Sequence, residues 1–496
     1  KIYDCIIVGA GVSGLRCGHA LTSEHGVNSE DILLLEAQDY VGGRVRQVSE
    51  FIKGVHVDVG AEFLHGTDTE LTRLAAAAGE PTTEIYCWAH GDGGPLQEPV
   101  RKGYGLYYIG GKGNPARLLR YDAPDAEFQR LNEALWDLKN LSEADFEDSY
   151  TLNDYLVGKR FGRDMLTMAN AGFANTLCSN DRGLSLKRVI KWCRLWDEEG
   201  EEEGDFSVDN SWRNLLGYLK RDLQIEISSP VSSIQYIPQE KSEGRPFSEL
   251  VKVETKGGTT YYARTVVVTA SPHVLKSELL RFDPPLSGLR EALDTVNMNS
   301  IVKVFLKFSR PVWPKNLAGM VIADDDFLLP EIWFKDVSGQ AAADEPAKAY
   351  AVAFTTTDYA RKLASLPRQE VMKKSIEQLD KMFSLLEPRH MSADPADPNK
   401  ELPRELPTPS SALLGAMYWD WTPEHHPYIG GGYCSPKANT DTDRMDKLRL
   451  PYGNENIFFA GEATNLPGAT AHAALESGVR AARQVSSVIS KGNDKK

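Results

Sequence analysis

The chain has 496 residues, of which 41% are hydrophobic and 25% are charged, a composition typical of soluble globular proteins large enough for two domains. Its 56 lysines and arginines are outnumbered by 70 aspartates and glutamates, and the net charge of −14 disfavours nucleic acid and favours a cationic small molecule as partner. No apolar stretch approaches the roughly 20 residues that a membrane-spanning helix needs, and the composition leaves the cellular location open.

The six cysteines show neither paired nor metal-ligand spacing. This predicts reduced, structural thiols and no metal site. The residues concerned are Cys5, Cys17, Cys87, Cys178, Cys193 and Cys434.

The strongest local pattern lies at the start of the chain. The largely apolar residues 3–8 break into the sequence GAGVSG at residues 9–14, and helix-compatible residues follow. In a strand–turn–helix unit, Gly9 makes the tight turn, Gly11 lets the backbone approach a pyrophosphate, and Gly14 lets the helix pack closely on the strand. The N–H groups at the start of that helix then face the phosphate, so the segment predicts a dinucleotide-binding unit.

A second apolar run at residues 32–35 ends in Glu36, at the position where an acid accepts hydrogen bonds from a ribose diol. An acid there suits an adenosine 2′-hydroxyl and repels a 2′-phosphate. The next residue is Ala37, and a glycine pair ending in Gly43 then precedes Arg44, which places a cation beside the same pyrophosphate. This segment resembles the FAD-binding start of the flavin amine oxidase superfamily, which implies that these residues contact FAD.

Residues 55–66 alternate as a strand and run into a glycine turn. Gly60 and Ala61 carry little side-chain bulk, as needed where a backbone passes close to a flat ring. The segment resembles the Gly-Ala-x-x-x-His-Gly stretch of polyamine oxidases. The resemblance implies that His65 faces the amine and that Glu62 lies near the isoalloxazine ring of the flavin.

Between residues 81 and 219 helical patterns replace the strand–turn–helix alternation, with helices predicted at 126–141 and 152–173. A substrate-binding domain inserted into the nucleotide-binding fold explains this change. The densest run of charge, at residues 197–205, reads as a solvated acidic loop, with an acidic rim that guides a polycation as the alternative.

The nucleotide-binding fold then resumes. Alternating and β-branched runs predict strands at 225–227, 231–236, 250–255, 259–263 and 265–270, with a hairpin turn at 257–258. In the family, the counterparts of these strands surround the adenine end of FAD. The resemblance implies that the backbone of Val231 meets the adenine.

The alternating strand at residues 299–308 carries Lys303 among β-branched neighbours, on the same face as Phe305. Burying an unpaired ammonium group costs several kcal/mol, so this lysine should have a partner or a depressed pKa. The alternative is an edge lysine whose side chain reaches solvent. The segment matches the family's Ser-x-x-Lys strand, which implies that Lys303 holds a water molecule against flavin N5.

The last third of the chain returns to the cofactor. An amphipathic helix is predicted at 367–386, followed by a proline-rich, mobile surface segment at 388–409 without chemistry. Aromatic residues interleaved with glycines follow at 418–433, and a buried strand at 457–464 precedes the final helix. These blocks resemble the Gly-Glu-x-Thr block and last helix of amine oxidases, where the glutamate binds the ribityl chain. The flavin contacts implied here are Tyr428, Gly461, Glu462, Thr470 and Ala471.

Two positions differ from the monoamine oxidases of this superfamily. Those enzymes attach the flavin through a cysteine that here is Gly432, so non-covalent FAD is expected. They also flank the amine with two tyrosines. Tyr433 matches the first, and Thr470 occupies the second position, which leaves that side open for a long amine.

The sequence is therefore identified as a member of the flavin amine oxidase superfamily, most similar to polyamine oxidases. The implied fold class is α/β: a Rossmann-like FAD-binding domain with an inserted α+β substrate-binding domain of the amine oxidase type. The first domain is predicted to comprise 1–80, 220–290 and 412–496, and the second 81–219 and 291–411.

The implied reaction is oxidation of a cationic amine, a polyamine above all. Hydride transfer to flavin N5 gives an imine that water hydrolyses, and O2 becomes hydrogen peroxide. The implied catalytic residues are Lys303, His65, Tyr433 and Thr470. An L-amino-acid oxidase, a protein-lysine demethylase and a flavin-binding protein without turnover stay open as alternatives, as do the oligomeric state and the particular amine.

Overall fold

The computed structural model describes residues 1–86, 103–111, 115–120, 123–198, 204–238, 249–286, 288–390, 406–438, 442–452, 456–465 and 468–493. Within these residues, two large sheets carry helices on their faces. The strands are β1 Ile2–Val8, β2 Ile32–Leu35, β3 Gln47–Val48, β4 Val57–Asp58, β5 Leu64–His65, β6 Thr82–Tyr86, β7 Tyr104–Ile109, β8 Arg117–Leu119, β9 Asp205–Val208, β10 Gln224–Glu226, β11 Val231–Pro238, β12 Glu249–Thr255, β13 Thr260–Val268, β14 Arg281–Asp283, β15 Val296–Met298, β16 Ile301–Phe308, β17 Leu317–Ala323, β18 Glu331–Asp336, β19 Ala349–Thr356, β20 Leu413–Asp420, β21 Cys434–Pro436 and β22 Ile457–Phe459. The helices are α1 Val12–Ser23, α2 Glu70–Ala77, α3 Ala126–Trp136, α4 Leu152–Gly158, α5 Arg163–Ala169, α6 Leu186–Glu198, α7 Trp212–Leu219, α8 Pro272–Lys276, α9 Leu289–Leu293, α10 Thr357–Ala364, α11 Arg368–Phe383, α12 Pro409–Ala412 and α13 Ala471–Asn493.

The first large sheet has eight strands, in the order β10-β2-β1-β13-β12-β11-β14, with β22 also paired to β13. β1 runs parallel to both β2 and β13. Ile6 packs into a buried cluster on one face of this sheet and Ile7 into another, as expected for a parallel strand that is covered on both sides. Leu15 of α1 and Leu475 of α13 join the cluster that contains Ile7. The predicted strand–turn–helix unit and the α/β fold class are confirmed.

The long strand β13 corrects the prediction of two separate strands at 259–263 and 265–270. On one side β13 pairs parallel with β1, and on the other side its first half pairs antiparallel with β12 and its second half parallel with β22. Arg264, which lies between the two predicted strands, forms an ion pair with Asp4 of β1. The strand therefore continues through the charge.

The second large sheet has seven strands, in the order β20-β16-β19-β18-β17-β7-β8. β16 pairs antiparallel with β19 on one side and β20 on the other. Val302 and Val304 face one buried cluster, whereas Ile301 and Phe305 face another. The strand predicted at 299–308 is confirmed, and its lysine lies inside the sheet and not at an edge.

Helices α3 to α6 pack on β7 and β17 through a shared apolar cluster. Two predicted helices are shorter than expected. The helix predicted at 126–141 ends at Trp136 and continues as one 3₁₀ turn. The helix predicted at 152–173 is divided into α4 and α5, because Arg160 between them has a left-handed backbone with φ of +62°.

Helix α7 packs with the first sheet, since Trp212, Leu215 and Leu219 belong to the same cluster as Leu15 of α1. A small sheet in the order β5-β9-β6 joins segments from both predicted domains. The division of the chain at residues 80, 219, 290 and 411 stays a prediction.

Several smaller expectations concern single segments. Five cysteines are buried free thiols, as predicted, and Cys87 lies outside the described residues. Residues 199–203 of the acidic run and 391–405 of the proline-rich segment also lie outside them. α11 confirms the helix predicted at 367–386. No helix in the described part of the chain is long and apolar enough to cross a membrane.

Candidate active site

One cavity of about 1230 Å³ extends between the two large sheets. The part of the cavity whose wall comes from the first sheet is called the nucleotide end. Its lining includes Gly9, Gly11, Glu36 and Val231. The wall that includes Lys303, Glu331 and Tyr433 is called the lysine end. All of the predicted site residues except Gly14 line this cavity. The cavity therefore brings together residues that are separated by more than 400 positions in the chain.

The glycine motif has the geometry that its sequence predicts. Gly9 has φ of +107°, and a Cβ there would lie 2.4 Å from Thr269 Oγ1. A Cβ at Gly14 would lie 2.1 Å from the carbonyl oxygen of Gly9, so only glycine permits this approach of α1 to the turn. A Cβ at Gly11, by contrast, would meet no atom within 4 Å. The backbone at Gly11 thus borders open space, where a ligand can reach it.

Glu36 follows β2 directly and lies buried at the nucleotide end. Its Oε2 accepts a hydrogen bond from the Ala10 N–H (2.6 Å), and its Oε1 accepts one from the Gln38 N–H (2.8 Å). Burial raises the pKa of Glu36, although these backbone donors oppose the shift. Each carboxylate oxygen keeps a further lone pair for a hydroxyl group of a ligand. Ala37 lines the cavity beside it.

Arg44 connects the glycine-rich start of the chain to its C-terminal segments. Its Nη1 donates to the Gly432 carbonyl oxygen and forms an ion pair with Glu462 Oε1 at 2.9 Å. Glu462 also accepts from the backbone N–H of Cys434 (3.3 Å). Gly43 and Gly461 line the same stretch of wall and have φ of +60° and +129°. A charged pair thus forms part of the cavity wall.

The remaining residues that are predicted to contact the cofactor also line the cavity. Val231 and Tyr428 line the cavity, and Ala471 begins α13. The Thr470 hydroxyl accepts a hydrogen bond from the Ala473 N–H (3.2 Å), which is the arrangement of a helix N-cap. The N-terminus of α13 therefore borders the cavity.

The structure gives a different reason for Gly60 from the one that the sequence suggests. A Cβ at Gly60 would lie 1.7 Å from the Arg44 carbonyl oxygen. The neighbouring backbone alone therefore requires glycine at this position, and contact of Gly60 with a flat ligand stays a prediction. Ala61 lines the cavity next to it.

Lys303 lies at the centre of a buried ionic cluster. Its Nζ donates to the Gly60 carbonyl oxygen (2.9 Å) and to Glu62 Oε2 (3.2 Å). Lys303 is only 5% exposed to solvent. Lys335 approaches the other carboxylate oxygen of Glu62 at 3.1 Å. Although burial raises the pKa of Glu62, the two ammonium groups outweigh it and hold that pKa below its ordinary value. The predicted partner of Lys303 is confirmed.

Glu331 is a buried acid of the lysine end that the sequence reasoning missed. Trp333 Nε1 donates to its Oε1 at 2.6 Å. Asn175 Nδ2 and Thr176 Oγ1 lie 3.1 and 3.2 Å from its Oε2. Burial raises the pKa of Glu331 to about 7, although the three donors lower it. A lone acid within the apolar stretch at 327–334 was the available signal.

His65 also has an acidic partner. Its Nδ1 lies 2.5 Å from Asp205 Oδ1, and both residues line the cavity. Asp205 is the last acid of the run at 197–205, and it is buried. The expectation that this run is a solvated loop is therefore wrong for Asp205, because pairing of β9 with β5 places it opposite His65.

Tyr433 forms one aromatic wall of the lysine end. Its hydroxyl donates to the Thr176 carbonyl oxygen, and its ring lies parallel to Phe354, with 6.3 Å between the centroids. A Cβ at the preceding Gly432 would lie 1.9 Å from Ile301 Cδ1, so this position has no room for a cysteine side chain. Cys434 is buried, and its thiol contacts Glu462 at 2.8 Å.

A further part of the wall is apolar and comes from helices of the layer on β7 and β17. These residues share large hydrophobic side chains, although α3 also contributes Gln129, Asn132 and Glu133 to the cavity wall. The hydrophobic residues are Phe128, Leu131, Leu135, Trp136, Met168 and Trp196.

The residues present fit a dinucleotide of the size of FAD. The cavity exceeds the roughly 300–1,000 Å³ of pockets for drug-sized ligands. It also has backbone exposed at Gly11, an acid at Glu36 for a ribose and a cation at Arg44 for a pyrophosphate.

Comparisons with known proteins agree with this fit. A family model described as flavin containing amine oxidoreductase matches residues 12–486. Polyamine oxidase 2 of Arabidopsis thaliana is 24% identical over 484 residues, which cover 96% of this chain and 86% of that protein. Human amine oxidase [flavin-containing] B is 26% identical over an alignment of 519 residues, which covers 97% of this chain and 86% of that protein.

Solved structures show the same fold. Cyclohexylamine oxidase from Brevibacterium oxydans IH-35A has a TM-score of 0.75 at 17% identity, covering 99% of this chain and 100% of that one. Wild-type putrescine oxidase bound to putrescine has a TM-score of 0.72 at 18% identity, covering 99% of each chain. The family match extends over nearly the whole sequence and confirms the resemblance carried by the motifs: the chain belongs to the flavin-containing amine oxidoreductases.

Proposed function

We propose that this FAD-dependent oxidoreductase oxidises a polyamine. When bound, FAD supplies the acceptor for a hydride from the carbon next to the amine nitrogen and passes the electrons to O2, which becomes hydrogen peroxide. The observation that carries the proposal is a single cavity that contains both the dinucleotide-binding motif and the buried cluster of Lys303 and Glu62.

The charge of the cavity wall supports a cationic substrate. Among the described residues of the wall, the cationic side chains are Arg44 and Lys303, and each has an acidic partner. The acids of the wall outnumber them and are Glu36, Glu62, Glu133, Asp205, Glu331 and Glu462. The carboxylate of Glu331 would bind a substrate ammonium group by charge and hydrogen bonding.

Four residues would act on the bound amine. Lys303 would hold the water molecule used in the reaction. Its ammonium group donates to Gly60 and Glu62 and has a longer contact of 3.5 Å to the Asp58 carbonyl oxygen, which the water molecule would replace. Tyr433 would form one wall beside the reacting carbon, and the small Thr470 would leave room opposite it. His65 would receive a hydrogen bond or a proton from the amine nitrogen.

FAD would be held by backbone and side-chain groups of the nucleotide end and of the wall that continues to Glu62 and Thr470, and Gly14 would act through the packing of α1. We assign this role to Gly9, Gly11, Gly14, Glu36, Ala37, Gly43, Arg44, Gly60, Ala61, Glu62, Val231, Tyr428, Gly461, Glu462, Thr470 and Ala471. Since Gly432 offers no thiol, acid precipitation should leave the flavin in the supernatant. Flavin retained in the protein pellet would contradict non-covalent binding.

A panel of amines assayed for hydrogen peroxide tests the proposed substrate. We expect the highest kcat/KM with spermine, spermidine or their acetylated forms, and lower values with benzylamine. The apolar wall of Phe128, Leu131 and Trp136 favours a second candidate, an amine with one bulky hydrocarbon group. Faster turnover of cyclohexylamine or benzylamine than of any polyamine would establish that candidate instead.

Amino acids and methylated peptides added to the same panel test a different substrate class. An L-amino-acid oxidase needs a cation for the substrate carboxylate, and Arg44, the arginine among the described wall residues, is paired with Glu462. Peroxide formation with L-amino acids or with a methylated lysine peptide, but not with free amines, would refute the proposal. No peroxide with any of these compounds would indicate a flavin-binding protein without turnover.

A further inference from the structure

Asp205, which belongs to none of the motifs identified in the sequence, pairs with the motif residue His65. The two residues lie opposite each other where β9 pairs with β5. Asp205 is 8% exposed, and its Oδ1 lies 2.5 Å from His65 Nδ1. Both side chains belong to the cavity wall. A buried carboxylate is thus held against one specific nitrogen of a histidine that borders the substrate space.

The chemistry of the two groups determines the hydrogen position. An ionised carboxylate only accepts hydrogen bonds, so the proton between the two residues belongs to Nδ1 of the ring. In the neutral ring the other nitrogen, Nε2, then carries a lone pair. The ring of His472 lies 6.4 Å from that of His65 in an edge arrangement, and Phe63 lies at the same distance. These aromatic neighbours flank the imidazole, and the contact with Asp205 orients it.

We propose that Asp205 is a positioning residue that fixes His65 as the acceptor of a proton from the substrate amine, a role that rests on the proposed function. The ammonium group loses one N–H proton to Nε2, while Nδ1 keeps its own proton. The resulting imidazolium is stabilised by the Asp205 carboxylate, and the amine gains the lone pair that it needs before hydride can leave. The proton passes from Nε2 to solvent before the next turnover.

The substitution Asp205→Asn tests this role with little change in shape. The amide group can donate to Nδ1, which would move the ring proton to Nε2 and turn the acceptor into a donor. We expect the rate of flavin reduction under anaerobic conditions to fall by about 10- to 100-fold. KM should change much less, because Glu331 and the apolar wall are intact, and FAD content should equal that of the unmodified enzyme.

Two further variants separate positioning from a merely structural role. Asp205→Glu keeps the carboxylate and should recover part of the lost rate. Asp197→Asn removes another acid of the same run, one that pairs with Lys139 and does not line the cavity, and should leave the rate unchanged. Melting temperatures of all variants show whether any has lost its fold. If Asp205→Asn has, the activity of Asp205→Glu and the spectroscopic measurement below decide the role of Asp205.

A double-mutant cycle supplies the strictest test. In the background of His65→Gln, Asp205→Asn should cause little further loss, because its effect acts through the ring. With ¹⁵N-histidine labelling, the unmodified enzyme should show a strongly hydrogen-bonded Nδ1–H proton that both single variants lack and Asp197→Asn retains.

The outcomes distinguish this inference from the proposed function. Full activity of Asp205→Asn, an equal loss with and without His65, or a protonated Nε2 in the unmodified enzyme would each overturn the role of Asp205 while amine oxidation stands. Failure of the unmodified enzyme to oxidise any amine would refute the proposed function and this role together.

Discussion

The two ends of the cavity are built in different ways. At the nucleotide end, the groups that we expect to bind FAD are largely backbone groups and glycines within the first 46 residues. Their positions follow from one strand, one turn and one helix. At the lysine end, charged side chains come from separate strands: His65 on β5, Asp205 on β9, Lys303 on β16 and Glu331 with Lys335 on β18. The first arrangement is fixed by local shape. The second depends on the packing of distant segments and is where substrate preference can change.

The largest effect should come from closing the tight packing at the nucleotide end. In Gly14→Ala, the new methyl group would lie 2.1 Å from the Gly9 carbonyl oxygen and push α1 off the turn. Such overpacking typically costs about 1–3 kcal/mol, and we expect a lower melting temperature and loss of bound FAD.

Gly11→Ala is the matched control, since its methyl group enters open space and its backbone is already extended, with φ of −68°. The apoprotein should melt as before, while FAD affinity falls. A Gly11→Ala protein with normal FAD affinity would show that the ligand does not approach this backbone.

At the lysine end, Lys303→Met should slow amine oxidation by at least about tenfold with near-normal FAD content. Glu62 keeps Lys335 as a partner, so the fold should survive loss of one ammonium group. Stopped-flow measurements of flavin reduction and of reoxidation locate the affected half-reaction.

Lys307→Met is the control for that variant, because Lys307 is on the same strand but bonds to the Phe51 carbonyl oxygen outside the cavity wall. If both half-reactions of Lys303→Met run at the normal rate, or if only FAD and fold are lost, Lys303 is structural.

Glu331→Gln should raise the KM for a polyamine by about tenfold, because one charge-assisted hydrogen bond to the substrate is lost. The change in kcat should be smaller. Because the pKa of Glu331 is raised to about 7, the unmodified carboxyl becomes charged as pH rises through that value. The KM of the unmodified enzyme should then fall over this range, and that of the variant should change less. Equal KM values at pH 8 would contradict a role in binding.

The same substitution has a separate effect on stability. Between the ordinary pKa of 4.5 and about 7, the folded protein keeps a proton on Glu331 that the unfolded chain releases. The free energy of unfolding therefore falls as pH rises through this window, by up to about 1.4 kcal/mol per unit. Urea unfolding at pH 5 and pH 8 should show a smaller decrease for Glu331→Gln than for the unmodified protein.

The smallest effect concerns long-range charge. With a net charge of −14, the protein should attract polycations, and added salt should lower kcat/KM for a polyamine a few-fold as the attraction is screened. A monoamine should respond less. Indifference of the polyamine kcat/KM to ionic strength would argue against this attraction.

The sequence predicts the nucleotide end well because its signals are local. Gly9, Gly11 and Gly14 have fixed spacing within one strand–turn–helix unit, and Glu36 stands directly at a strand end. Lys303 could also be predicted to have a partner, since a charge among β-branched residues needs one. Its partner Glu62 is 241 positions away, and no spacing rule connects the two residues.

Other parts of the lysine end could not be predicted, for two physical reasons. Asp205 lies in a run of acids whose composition is typical of a solvated loop. Only the pairing of β9 with β5 shows that this acid is placed opposite His65. Glu331 is a lone acid within the apolar stretch 327–334, but that pattern does not reveal its partners Asn175, Thr176 and Trp333, which come together only in the fold. Contacts between segments that are distant in sequence decide both cases.

The link from Arg44 to Gly432 and Glu462 has a consequence for the order of events during synthesis. The dinucleotide motif is synthesised before Gly432 and Glu462, which hold its cation, and β22 must still insert beside β13. Because contacts between such distant segments form late, we expect the chain to retain flavin only after these later segments are made. Cofactor loading would then follow translation, and flavin supply would set how much of the finished chain becomes active enzyme.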